Sequence, residues 1–506
     1  MKKTIKLDRR AVFAAALGLG LFAAYQEPVS FGQSVYSVQP YNYGTVANTE
    51  YASVTPIVEY ADEAQGVATT DATDAGQLIN TGDPIRDFQA QLEALQKKTE
   101  KLQLDFESEK KKNEKKEKFN LPFNTKIGGQ LRVDGVYVSE NDEAKSNFGD
   151  VENSLGVRDL RVTFGGSSYG NLQYAVAFCV NNTITFQDVW LRAKDTGFGT
   201  LTVGNFYVES GMESLETNWD RVYAMTDEGA AMFRLGRRLG FSTQLYGAEK
   251  QSRAFFAIFT PQNLATSPHR INHLDNPGVI LNTRLTAAPI LIDDEDGYTR
   301  EVFHVGGSYF WLHPATGGKL NLQTTGLGWA GTEPKFLSGS VALDGKSYSL
   351  STVEAAYQHE GFATTAEGYF CSIEDGGDAY GTTIATRWLL TPGVTRRYNR
   401  DEGRFGMVKM PDEQVFLDVS RREIGRNFGA LEALAKWEWV EANNLKEVKD
   451  ATYGQVQRVV AGANWFWNEQ VFWTFNWEHA FVNAHKADAP VKGEFDTLIL
   501  QGSLKF

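Results

Sequence analysis

The stretch Glu469–Phe481, EQVFWTFNWEHAF, changes character at every residue. Val471, Trp473, Phe475 and Trp477 fall on one side of an extended chain, with Thr474, Asn476 and Glu478 on the other, because successive strand side chains point to opposite faces. The same period of two recurs in TKIGGQLRVDGVYV, Thr125–Val138, where Ile127, Leu131, Val133 and Tyr137 oppose Lys126, Gln130, Arg132 and Asp134. It recurs again in FGALEALAKWEWV, Phe428–Val440, where Leu431, Ala433, Ala435, Trp437 and Trp439 oppose Glu432, Lys436 and Glu438. Such segments run about 9 to 13 residues. Soluble strands average five or six, whereas a tilted strand crossing a bilayer needs about 9 to 11.

Two further patterns favour lipid over a soluble core. Trp465, Trp467 and Trp473 crowd the tight turn at Asn468–Glu469, as an aromatic girdle at a membrane interface requires. Connections also differ in length. SSYGN (Ser167–Asn171) and WNEQ (Trp467–Gln470) are short, whereas Ser139–Leu155 and Val208–Arg237 are long and polar. Outer-membrane barrels have short periplasmic turns and longer outer loops. The expectation is an all-β, antiparallel transmembrane β-barrel of about sixteen strands over residues 119–506. The count becomes eighteen if Thr391–Asn427, long for its side of the barrel, hides one more pair.

A barrel in lipid leaves no free edge, so its last strand must pair with its first. That explains a chain ending on LILQGSLKF, Leu498–Phe506, with Leu498, Leu500, Leu504 and Phe506 on one side. Leu504 and Phe506 also resemble the terminal signal read by the outer-membrane insertion machinery.

Residues 1–32 read as a signal peptide. Lys2, Lys3, Lys6, Arg9 and Arg10 precede the apolar run Ala11–Ala24, and Ser30 and Gly32 supply the small residues of a cleavage site. Residues 33–82 have no sustained period and read as a flexible linker. Within 83–118, Ile85, Phe88, Leu92, Leu95, Thr99, Leu102 and Phe106 are spaced 3-4-3-4-3-4, the seam of a coiled coil. One helix cannot bury that stripe alone. A homotrimer meeting at this periplasmic seam is the sharper reading, and packing on the chain's own barrel is the alternative. The lysine-rich run Lys110–Lys118 reads as a solvated face, with a wall polymer or lipid headgroup as its other possible partner.

The chain has 506 residues and a formal net charge of −13, which argues against a general nucleic-acid binder. Its mean hydropathy of −0.35 argues against a bundle of membrane helices, not against a barrel. Cys179 and Cys371 sit in alternating segments and read as free thiols. No histidine stands in a nucleophile setting, and His269 and His273 lie in a Pro- and Asn-containing loop. DDEDG, Asp293–Gly297, lacks the rest of a calcium loop. No cofactor, metal or catalytic role is expected.

The segment Leu201–Phe241, including GRRLG at Gly236–Gly240, resembles the phosphate-selective porin O and P family. So does WLLTPGVTRRYNRDEGRFGMVK, Trp388–Lys409, and the Gly462–Asn483 hairpin fits as well. The resemblance covers roughly Thr125–Phe506. It implies a sixteen-stranded, trimeric outer-membrane porin, a water-filled channel for small hydrophilic solutes, with the third loop Val208–Arg237 folded inward. On that reading the constriction sets Arg221, Arg234, Arg237 and Arg238 against Glu213, Glu216 and Asp220. The inward strand residues Arg132, Lys194, Glu432 and Lys436 continue the polar lining. Of the chain's 50 basic and 63 acidic residues, 15 and 17 precede Asn120, leaving 35 against 46 in the barrel. A ring of cations selects anions, so phosphate or another anion as solute sits poorly with that balance. The competing function is a non-channel, β-rich surface or adhesion protein tethered by its coiled coil.

Overall fold

The computed structural model describes residues 123–180, 184–216, 222–261, 278–294, 298–313, 319–327, 335–342, 346–418, 421–425, 427–448 and 450–506. The expected signal peptide, linker and coiled coil lie outside them. The first strands are β1 (Phe123–Glu140), β2 (Ser154–Ser168), β3 (Leu172–Val180), β4 (Ile184–Thr196), β5 (Gly199–Tyr207), β6 (Arg237–Tyr246), β7 (Ser252–Phe259), β8 (Val279–Asp293) and β9 (Thr299–His313). Next come β10 (Lys319–Gln323), β11 (Ser338–Ala342), β12 (Tyr348–His359), β13 (Phe362–Ile373) and β14 (Gly377–Leu389). After them lie two small hairpins, β15 (Thr395–Asn399) with β16 (Arg404–Lys409) and β17 (Leu417–Asp418) with β18 (Glu423–Ile424). The last strands are β19 (Ala430–Glu441), β20 (Thr452–Phe466), β21 (Val471–Lys486) and β22 (Ala489–Lys505). Helix α1 spans Asp142–Phe148 and α2 Glu228–Phe233.

Sixteen strands close one antiparallel ring. β1 to β9 pair in succession, β9 passes to β12, β14 passes to β19, and β22 returns to β1. β10 and β11 form an extra hairpin that, among the described residues, pairs with β20 at Ser338↔Thr452. The eighteen-strand alternative for Thr391–Asn427 is therefore corrected. That stretch adds no wall pair, because β14 and β19 already pair directly from Tyr380↔Glu441 to Leu389↔Glu432.

The period of two maps onto two faces. On β20, Val456, Arg458, Val460 and Asn464 are buried inside, while Gln457, Val459 and Ala461 are exposed outside. On β21 and β22, Trp473, Phe475, Trp477, Leu498, Leu500 and Leu504 are exposed on the outer face. Tight turns follow from local chemistry. At β2–β3, Tyr169 (φ 52°) and Gly170 (φ 79°) both take the left-handed conformation that two-residue hairpins need. At β20–β21, the Asn468 side-chain oxygen accepts from the Gln470 and Val471 amides, both at 2.7 Å, which fixes the turn locally.

The closing seam runs from Gln130↔Lys505 to Glu140↔Phe495. Beyond it, Gly129 and Phe506 exchange two backbone hydrogen bonds of 2.8 and 3.1 Å. A Cβ at position 129 would collide with the Phe506 ring, so Gly129 is the space in which that ring lies. Deleting Phe506 is expected to lower the folded, outer-membrane fraction severalfold. Gly129→Val should do the same by evicting the ring. Surface levels equal to the parent in both variants would refute this role for the seam.

The interior departs from an open polar lumen. Toward the long-loop end, inward positions are apolar, including Phe310, Leu312, Tyr348, Leu350, Ile373, Val456 and Ile499. They pack with Met232, Phe233, Phe336 and Leu337 from segments folded into the barrel. Burying one such side chain stabilises by about 1.5–3 kcal/mol. The inward segments are thus held partly by a hydrophobic core inside the ring.

Candidate pore constriction

The described residues of the third loop, 208–216 and 222–236, lie between β5 and β6 and fold inward. Phe233 is fully buried against Tyr369, with ring centroids 6.3 Å apart, and its carbonyl accepts the Tyr348 hydroxyl. Charged latches fix the rest of the loop. Glu209 takes Arg253 at 2.6 Å and Arg284 at 3.5 Å. Asp227 meets Lys436 at 2.9 Å. Arg458 lies 3.2 Å from Glu228, 2.8 Å from Glu438 and 3.3 Å from Glu478, and donates to the Thr226 carbonyl at 2.9 Å. Arg158 donates to the Ala224 carbonyl at 2.6 Å and pairs with Asp134 at 3.1 Å. The Thr325 amide, in the segment joining β10 to β11, donates to Glu228 at 2.6 Å.

One cation, Lys436, serves both Asp227 and Glu438, while Arg458 serves Glu438 as well. Burial, reinforced by nearby Glu213, pushes the Asp227 carboxyl up to about 7 against the pull of Lys436. A loop acid of the constriction therefore titrates near neutrality.

The β15–β16 hairpin enters the ring from the opposite, short-turn end, the side on which parity puts Thr391–Asn427, and it turns inward without joining the wall. Arg396 grips Glu432 on β19 through two bonds of 3.0 and 2.8 Å. Tyr398 hydrogen-bonds His304 at 2.6 Å, and its amide donates to the Thr299 hydroxyl at 3.0 Å. Arg284 donates to the Glu402 and Gly403 carbonyls at 2.6 and 2.8 Å, and pairs with Glu354 at 2.8 Å. At the rim, Arg400 meets Asp293 at 2.5 Å and Lys409 meets Glu469 at 3.2 Å. Gly403, with φ 62°, makes the hairpin's turn, and a side chain there would strike Thr286. The two inward segments meet. Met212 of the third loop joins Tyr398 and Phe405 of the hairpin in one buried cluster.

The residues expected at the constriction fall in several places. Asp220 and Arg221 lie outside the described residues. Glu213 is half-buried and Glu216 buried on the third loop, and both line a cleft against β13 and β14. Arg237 and Arg238 belong to β6, not to the loop, because the chain re-enters the wall at Arg237. Arg237 pairs with Asp188 on β4 at 2.7 Å and stacks on Tyr207, while Arg238 donates to the Arg237 carbonyl at 2.7 Å. Arg234 is half-buried just after α2. Arg132, Glu432 and Lys436 point inward as the alternation requires, yet all are buried in polar contacts. Lys194 is half-buried beside the β4–β5 turn, past a register irregularity, and so sits at the rim. Leu504 and Phe506 are exposed on the outer face. Both cysteines are free and buried.

Glu209 and Glu228 are acids of the third loop itself, whereas Arg253, Arg284, Glu354, Arg387, Arg396 and Arg458 carry much of the interior chemistry and were not expected from the sequence. Their one signal in the sequence is parity: each wall residue among them occupies an inward position.

No curated protein matches the chain. Among solved structures, OmpT of Vibrio cholerae, folded in vitro, is 12% identical over 76% of this chain and 98% of that one, with a TM-score of 0.44. OprB of Pseudomonas putida is 8% identical over 76% and 94%, at 0.45. An anion-selective porin from Comamonas acidovorans is 11% identical over 76% and 100%, at 0.44. Likenesses at that level carry no weight about solute or assembly. The family model of phosphate-selective porin O and P matches residues 125–504, three quarters of the chain, and agrees with the closed sixteen-stranded ring. The chain belongs to that family of outer-membrane porins.

Proposed function

We propose that this porin passes small polar solutes passively through a constriction shared by the third loop and the β15–β16 hairpin, with little preference for ion sign. The observation that carries this is charge matching. Arg237 with Asp188, Arg253 with Glu209, Arg284 with Glu354, Arg396 with Glu432 and Lys436 with Asp227 all neutralise one another inside the ring. Balanced charges across a narrow gap make a transverse field that orients polar solutes without excluding one sign. Phosphate selectivity would need an excess of cations, and the barrel carries an excess of acids. The working unit is a homotrimer, exported by a signal peptide ending near Gly32. A parallel coiled coil over Ile85–Phe106 lies on the periplasmic side, and the insertion machinery reads the terminal strand.

Reversal potentials in asymmetric KCl test the selectivity. At pH 8 the expected value is close to zero, with a small cation preference. Asp227 faces Glu213, Lys436 and Glu438. Protonating it as pH falls through about 7 removes one negative charge, so the cation preference should shrink by pH 6. Asp227→Asn should abolish that shift. Strong anion selectivity at both pH values would restore the phosphate reading and overturn this one.

A further inference from the structure

The connection from β14 to β19 carries two hairpins, and β15–β16 is the one that enters the lumen. The second, β17–β18, packs on Trp465 and Trp467 at the short-turn end of β20. The Phe416 ring lies 5.4 Å from Trp465 and 5.1 Å from Trp467, and the Phe416 amide donates to the Trp467 carbonyl at 2.8 Å. The Asn468 side chain donates to the Leu417 carbonyl at 2.7 Å. The Phe428 carbonyl accepts the Trp465 indole N–H at 2.7 Å, and the two rings stack. Trp465 shares its outward position with its strand partner Trp473. The hairpin is therefore tied to the outer face of the wall.

Its exposed side is apolar and cationic together. Ile424 is 73% exposed and Phe428 64%, and they continue an exposed outward band of Trp388, Leu390, Trp473 and Phe506. Arg421 and Arg422 are exposed beside Ile424. Arg421 lies 3.4 Å from Asp418 and 3.9 Å from Asp412, whereas Arg422 has no ion pair among the described residues. Glu423 alternates to the face opposite Ile424. Two rungs, Leu417↔Ile424 and Asp418↔Glu423, close the hairpin, so much of its backbone still needs polar partners and cannot lie in hydrocarbon. Open water gives nothing to Ile424 and Phe428. The headgroup boundary satisfies both, and tryptophan belts sit at that depth.

We infer that β17–β18 is a phospholipid-binding tab at the membrane boundary on the short-turn side. Ile424 and Phe428 enter the upper acyl region, and Arg422 meets a headgroup phosphate. A guanidinium suits that partner because its planar fork offers paired N–H donors to phosphate oxygens. Both hairpins belong to one connection, so the tab also anchors the root of the hairpin that enters the lumen.

Depth-resolved quenching tests this. Cys179 and Cys371 are buried, so in the folded Ile424→Cys protein a thiol-reactive NBD fluorophore labels the new site. The labelled protein is placed in vesicles of phosphatidylcholine and phosphatidylglycerol. A lipid nitroxide near the headgroup should quench several-fold more than aqueous iodide, and more than a nitroxide deep in the acyl chain. Adding Arg422→Gln should lower the ratio of lipid to iodide quenching about fivefold, the value of one arginine at an anionic lipid surface. If Ile424→Cys yields no heat-modifiable protein, Phe428→Cys gives the same readout from a second position. Iodide quenching close to that of the free dye would put the tab in water and overturn the inference. Protection from iodide and from both nitroxides would mean that a second copy covers the tab, and would overturn it too. A ratio unchanged by Arg422→Gln would overturn the phosphate contact.

Discussion

Arg458→Met is expected to unlatch the third loop and give a larger, noisier conductance from a barrel that still inserts. Arg458 is 1% exposed and stands between Glu228 on the loop and Glu438 and Glu478 on the wall. Methionine preserves much of the volume but leaves three buried carboxylates facing one another, with Lys436 in contact with only one of them. Breaking a buried pair from one side costs about 3–5 kcal/mol, since the remaining charge is uncompensated. The wall can carry that loss, because β20 keeps its full ladders to β19 and β21. The loop cannot, because Glu228 and the Thr226 carbonyl lose a shared anchor. Single-channel recordings and the heating midpoint of the folded species together check this. Unchanged conductance with an unchanged midpoint would show that Arg458 latches nothing.

Replacing Arg396–Val408 by a short Gly-Ser linker is expected to raise conductance severalfold without loss of the folded barrel. The hairpin contributes no strand to the ring, so its removal leaves the β14–β19 pairing in place. It does remove the partner of Glu432 and the two carbonyls that Arg284 binds. Arg284 keeps Glu354, and Glu432 keeps the Asn464 amide at 2.8 Å and meets water in the space the hairpin leaves, so neither group stays buried without a partner. The apolar contact of Met212 with Tyr398 and Phe405 also goes, which frees the tip of the third loop. Heat-modifiability of the purified variant reports on the barrel, and bilayer conductance reports on the lumen. Parental conductance from a folded variant would mean that the hairpin does not narrow the pore.

The wall was legible because its signal is local. Trp473, Phe475 and Trp477 announce the outer face two residues at a time, and the alternation of Leu498, Leu500 and Leu504 announces one more wall strand. The Tyr169–Gly170 turn is equally local. The constriction was not legible for the opposite reason. Asp227 and Lys436 lie 209 residues apart, and their meeting depends on the path of the loop and the register of β19 together. Counting charges gives an excess of acids but not which acid meets which cation. The hairpin at Thr395–Lys409 misled by length. Strands of five and six residues are too short to cross a bilayer, which should have removed them from the wall. Gly403 inside NRDEGR marks the tight turn that lets so short a hairpin fit the lumen. The family resemblance placed the third loop inward but assigned it Arg237 and Arg238, which strand pairing with Tyr207 and Phe206 puts in the wall. Phe233 and Met232 read as loop residues because nothing nearby in the sequence shows the apolar inner face they cover.

The central claim is a water-filled channel through a lumen narrowed from both ends. Planar-bilayer recording of the purified, folded native protein in KCl tests it most directly. Discrete, stable openings of small conductance are expected, rising in three equal steps for each trimer inserted. A folded, heat-modifiable preparation that inserts into the bilayer yet passes no current would contradict it.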